Sequence, residues 1–123
     1  MDRAHVEGWI RAYERAWRSG DADAVAALFT PDATYRASPL APSVRGIDAI
    51  AAWWRAESDP AERWELTSEV LAVDGPVAVA RLDVRYSAPR EFRYLDLWVM
   101  RFADDGRCAA FEEWWWAEPP EAA

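Results

Sequence analysis

The sequence predicts an α+β fold in which three N-terminal helices pack on a mostly antiparallel sheet, and three observations predict it. Apolar residues recur at helical spacing through the first half of the chain. They alternate at period two through the second half, and the alternating segments are joined by connections of two or three residues. Helices followed by strands is a layer pattern in which the helices cover one sheet face. With 123 residues, 52% of them apolar, the chain suffices for one domain with one core, placed at 1–118, with 119–123 as a tail.

Val6, Ile10, Tyr13 and Trp17 are spaced four, three and four apart and define one face of a first helix, which Gly20 ends. Asp21 caps a second helix over Ala22–Phe29, with Val25, Leu28 and Phe29 as its apolar side and Thr30-Pro31-Asp32 as its stop. A short strand follows at Ala33–Ala37. Ser38-Pro39-Leu40-Ala41-Pro42 is irregular, because its prolines lack donors and restrict their neighbours. The third helix, Ile47–Ser58, carries Ile47, Ile50, Ala51 and Trp54 on one face, so Trp53 and Trp54 cannot both point inward. Four long strands complete the chain: Trp64–Asp74, Val77–Ser87, Glu91–Ala103 and Arg107–Ala117. Gly75-Pro76, Ala88-Pro89-Arg90 and Asp104-Asp105-Gly106 turn them into an antiparallel meander, and Pro119-Pro120 ends the ordered chain.

Composition removes several function classes. Fourteen basic against twenty-two acidic side chains give a net charge of -8, a field that repels phosphate backbones and anionic headgroups, so neither nucleic acid nor membrane is expected as a partner. The lone Cys108 and lone His5 support neither an internal disulfide nor a recurring Cys/His metal motif, and no metal is expected. His5 reads as a solvated surface residue and Cys108 as a small buried hydrophobe. No apolar run approaches the ~20 residues that span a bilayer, and the start Met-Asp-Arg-Ala-His lacks a signal-type segment, so a soluble, cytoplasmic protein is expected. Lys, Asn and Gln are absent, which excludes a lysine Schiff base and leaves Arg as the fixed cation. Nine Trp, four Tyr and four Phe exceed what a small core needs for filling and suit a pocket for a flat or greasy ligand.

The element order, with Trp17-Arg18-Ser19-Gly20-Asp21-Ala22-Asp23, Leu28-Phe29-Thr30-Pro31-Asp32-Ala33-Thr34 and Arg45-Gly46-Ile47-Asp48-Ala49-Ile50, resembles the nuclear transport factor two-like, or SnoaL-like, superfamily. That superfamily includes polyketide cyclases, ketosteroid isomerase and limonene epoxide hydrolase. The resemblance implies a cone-shaped barrel of helices on a curved sheet, a deep apolar pocket, and a homodimer formed across the outer sheet face. Tyr13 matches the oxyanion-donating tyrosine of ketosteroid isomerase, whereas that enzyme's base and its protonated acid fall at Ala37 and Trp98. Steroid isomerase chemistry is therefore disfavoured. Tyr35-Arg36-Ala37-Ser38-Pro39-Leu40-Ala41-Pro42, Arg81-Leu82-Asp83-Val84 and Phe111-Glu112-Glu113-Trp114-Trp115 resemble three stretches of limonene epoxide hydrolase, whose water-holding Asn falls at Ala37. By that resemblance the catalytic residues are Arg81 as a bridging cation, Asp83 as acid, Glu113 as base and Tyr35 as water ligand.

Two phases of the second long strand remain open on the residues themselves. Pattern alone puts Ala80, Leu82, Val84 and Tyr86 inward, with Arg81, Asp83 and Arg85 in water; the resemblance turns Arg81 and Asp83 into the pocket. In the second phase Arg81, Asp83, Asp96 and Glu113 lie beneath an aromatic wall, and the substrate-binding set is Tyr13, Trp17, Trp54, Asp96, Trp98, Phe111 and Trp115. One carboxyl with a raised pKa beside one held ionised can act as acid and base together. The expected function is a cofactor-independent acid/base enzyme for a small hydrophobic terpenoid- or polyketide-like molecule, by epoxide hydrolysis, isomerisation or cyclisation. The alternatives are a non-catalytic small-molecule-binding domain and a structural dimerisation domain.

Overall fold

A computed structural model describes residues 1–117; the expected tail at 119–123, the last residue of the expected domain span and the Pro119-Pro120 stop lie outside the described residues. Helix α1 runs Arg3–Ser19, with the Asp2 side chain accepting from the His5 backbone N–H at its start. Gly20 closes it at φ 70°, a left-handed conformation that glycine adopts without a Cβ clash. Val6, Ile10 and Tyr13 are buried as their spacing requires, and Trp9 joins them. His5 is exposed, with a ring nitrogen 2.8 Å from the Gly106 carbonyl oxygen.

The predicted second helix is shorter than its apolar pattern. Asp21 caps a 3-10 turn at Ala22–Ala24, α2 covers only Val25–Leu28, and strand β1 begins at once and runs Phe29–Arg36. Pro31 explains the early exit, since the residue before a proline is pushed out of the helical region. Between the pairs Phe29↔Cys108 and Thr34↔Ala110, β1 advances five residues while strand β6 (Cys108–Ala117) advances two, an irregularity that takes in the proline without a missing ladder donor. A two-residue strand, β2 (Val44–Arg45), pairs with Tyr35 and Thr34; the prolines around it hid it in the sequence. Helix α3 (Ile47–Glu57) buries Ile50, Ala51 and Trp54.

Strands β3 (Arg63–Asp74), β4 (Val77–Ala88) and β5 (Phe92–Phe102) then form the predicted meander with β6. The sheet order is β2-β1-β6-β5-β4-β3, with β1 parallel to β6 and every other pair antiparallel. Three helices thus cover one face of a curved six-stranded sheet, the cone-shaped α+β architecture that was expected.

The phase of β4 corrects the one implied by the resemblance. Ala78, Ala80, Leu82 and Val84 are buried on the inner face, while Arg81 and Asp83 lie on the outer face with Arg85. Arg81 Nη2 donates to Glu69 Oε2 across β3 at 2.8 Å. Asp83 accepts from Arg93 Nε at 2.9 Å and Arg93 Nη2 at 2.8 Å, with Arg85 Nη2 at 3.5 Å. Turning this strand over would bury three neighbouring charges and expose four aliphatic side chains, a double penalty that a one-residue change of register cannot offset.

Candidate functional site

A cavity of about 260 Å³ opens between α1, α3 and the inner faces of β3 to β6. Its back wall is aromatic because the inward positions of α1, β1, β5 and β6 converge there. Tyr35 stacks on Phe111 with ring centroids 4.8 Å apart, and Tyr13 lies 4.6 Å from Trp98. The two tyrosine hydroxyls meet at 2.6 Å. Burial pushes both well above the ordinary tyrosine pKa, so both keep their protons and between them can offer an O–H to a ligand oxygen.

Strand register assembles the polar centre. Asp96 and Trp98 stand two apart on the inner face of β5, and Glu113 lies directly opposite Trp98 on β6. The indole Nε1 of Trp98 donates to Asp96 Oδ2 at 3.0 Å and to Glu113 Oε1 at 3.1 Å. One indole N–H thus faces both carboxyl groups. Burial raises the Asp96 carboxyl to about 6, against the hydrogen bond it accepts from Trp98. Glu113 is driven well above its ordinary value by burial first and then by the neighbouring Asp96 charge. Burial and like charge together disfavour two carboxylates here, so the pair favours holding one proton, which puts an acid and a base side by side. Asp96 is 2% exposed, and its Oδ1 is buried without a fixed donor.

Of the residues singled out in the sequence, the cavity collects Tyr13, Trp17, Tyr35, Asp96, Trp98 and Glu113. Arg81 and Asp83 stand on the opposite side of the sheet, away from it, so the guanidinium-bridged pair expected there is not assembled. Trp54 packs in the core, and its neighbour Trp53 takes the place at the cavity wall. Phe111 lies behind the wall as support for Tyr35 and Trp98, and Trp115, 49% exposed, meets only the edge of Tyr94 among the ring contacts. Asp96 and the Glu113 expected as base are both raised from their ordinary values, while Asp83, expected as the acid, is ion-paired on the outer face.

Sequence reasoning missed Tyr86 and Tyr94, whose rings stack along the cavity, and the carboxyls Glu14, Glu57 and Glu62. Reading β4 by its apolar alternation would have found Tyr86. Among the described residues, no group of three or more His, Cys, Asp or Glu is arranged to hold a metal ion, and no helix is long and apolar enough to cross a membrane.

The crystal structure of a protein from Kribbella flavida, described as a "putative ketosteroid isomerase", is similar to this chain at 20% identity, with a TM-score of 0.70 over 97% of this chain and 84% of that one. At that identity the likeness bears on the fold. No curated protein matches the sequence. Residues 10–111, most of the length, match the family model of the SnoaL-like domain, and the chain belongs to that family.

Proposed function

We propose that this protein is a cofactor-independent proton-transfer enzyme acting on a small hydrophobic molecule, with isomerisation or cyclisation as its reaction class. The observation that carries the reading is the Asp96–Glu113 pair, joined through Trp98 Nε1 at the inner end of an aromatic cavity. A carboxylate with its pKa near 6 is close to the value at which a general base combines availability with strength. Asp96 takes a proton from a carbon next to a carbonyl or imine group of the substrate. The electron pair moves onto the carbonyl oxygen or imine nitrogen, which the Tyr13–Tyr35 hydroxyl pair steadies by hydrogen bonding, and the proton returns at a second carbon. Glu113 supplies or recovers the proton where the heteroatom itself must be protonated.

Epoxide hydration has less support, because the arginine that would bridge two carboxylates in that chemistry is on the outer face. The non-catalytic binding domain is the second reading. It is favoured by the indole N–H of Trp98 already donating to both carboxyls, which occupies one oxygen of each without a substrate.

Deuterium incorporation and double-bond migration in a panel of small cyclic enones, followed by NMR at pH 7.5, separate the two. The wild type exchanges and isomerises members of the panel, and Asp96→Asn and Glu113→Gln each lower the rate by about a hundredfold or more. Turnover that survives both substitutions removes the mechanism.

A further inference from the structure

We infer that the cavity selects a positively charged ligand, a protonated amine on an apolar skeleton. This inference rests on the cavity being the substrate site and names the class of substrate that the site takes. Among the described residues, five carboxyl side chains line the cavity, from Glu14, Glu57, Glu62, Asp96 and Glu113, and no Arg or His does. The guanidinium of Arg18 lies 4.0 Å over the Trp64 ring and 3.4 Å from Glu14, and it compensates that one carboxylate from the rim.

An acidic mouth alone would describe any solvated surface. Here a second feature lies inside: Asp96 is almost fully buried, lines the cavity, and has an oxygen that no fixed donor reaches. A buried carboxylate oxygen without a donor is costly, and an ammonium N–H is the group that relieves it best, by charge and by hydrogen bond together. Burial, and after it the neighbouring Asp96 charge, push the Glu113 carboxyl up, so the pair favours one negative charge over two. The walls suit the same ligand, since Trp17, Trp53, Tyr86 and Tyr94 present aromatic rings that attract a cation while they desolvate its apolar skeleton. A carboxylate or phosphate ligand would meet these groups with no cation among the described lining residues to receive it.

The test compares three probes on one skeleton, phenethylammonium, phenethyl alcohol and phenylacetate, titrated at pH 8 by intrinsic tryptophan fluorescence and by calorimetry. The expected order is ammonium, then alcohol, then carboxylate, with at least a tenfold preference for the ammonium over the alcohol. In the Glu57→Gln, Glu62→Gln double variant, whose changes lie at the mouth, the ratio of ammonium to alcohol affinity falls severalfold. Equal affinities for ammonium and alcohol, tighter binding of phenylacetate, or no binding by any probe overturns the inference. Enone turnover without ammonium preference would sink cation selection and leave the proton-transfer reading standing. Ammonium preference without turnover in any substrate would do the reverse.

Discussion

Replacing Asp96 by Asn should make the protein more stable and leave it without proton-transfer activity. In the folded chain the Asp96 carboxyl is 2% exposed, and its pKa moves from an ordinary 3.8 to about 6. The difference of about 2 units, at 1.36 kcal/mol each, means that ionised Asp96 opposes folding by about 3 kcal/mol. The sign follows from the folded state holding this proton more tightly than the unfolded chain. The associated stability is fully present below pH 4 and is lost as pH rises through 6. Asparagine keeps a carbonyl to accept from Trp98 Nε1 and removes the charge. The variant should exceed the wild type by about 3 kcal/mol at pH 8, and the gap should close between pH 6 and pH 4. Urea unfolding followed by tryptophan fluorescence at a series of pH values measures it. With a slope of about 1–3 kcal/mol per molar urea, the expected gap at pH 8 is a midpoint shift of roughly 1–3 M. A variant no more stable than the wild type at pH 8, or a gap that ignores pH, would refute the account of Asp96 as a buried, uncompensated base.

Two further substitutions address neighbouring parts of the argument. Trp98→Phe removes the donor that holds both carboxyls down, so the Asp96 pKa should rise further and the base limb of the pH–rate profile should move up by about one unit, read from initial rates between pH 4 and 9. Arg81→Ala and Asp83→Ala, on the outer face, should change turnover by less than about twofold. Arg81→Ala breaks an exposed ion pair with Glu69, so it should cost no more than about 1 kcal/mol in urea unfolding.

The helices and the meander were legible because they rest on periodicity and on turn chemistry, both local properties of the sequence. Gly20 and Asp21 mark the end of α1 and the start of the next turn, and Gly75-Pro76 and Asp104-Asp105-Gly106 mark strand ends to within a residue. The short strand β2 and the early start of β1 were not legible, because each depends on a partner strand distant in sequence. Phe29 leaves the helical run to face Cys108, and Val44 is extended because Tyr35 lies beside it. The carboxyl pair was half legible for the same reason. Glu113 and Asp96 were both singled out, but their meeting requires the β5–β6 register that sets Trp98 opposite Glu113, and sequence spacing does not contain that register.

The one error of consequence, the phase of β4, shows which charge patterns in a strand signal a site. Arg81, Asp83 and Arg85 form a phase that is charged throughout, and the alternate phase, Ala80, Leu82 and Val84, is apolar throughout. A strand so divided loses several kcal/mol for each ion it buries and gains nothing by exposing its aliphatic side, so sequence and physics agree on one orientation. Strand β5 differs: Tyr94, Trp98, Met100 and Phe102 fix the inward phase, and Asp96 interrupts it with a single carboxyl. Phe111 and Glu113 repeat the arrangement on β6. A lone acid in an apolar phase cannot be turned to solvent without exposing its aromatic neighbours, so the rest of the strand carries it inward and raises its pKa. The chemistry of this cavity follows from that constraint, with the burial energy of Trp98, Met100 and Phe102 offsetting the cost of placing Asp96 among them.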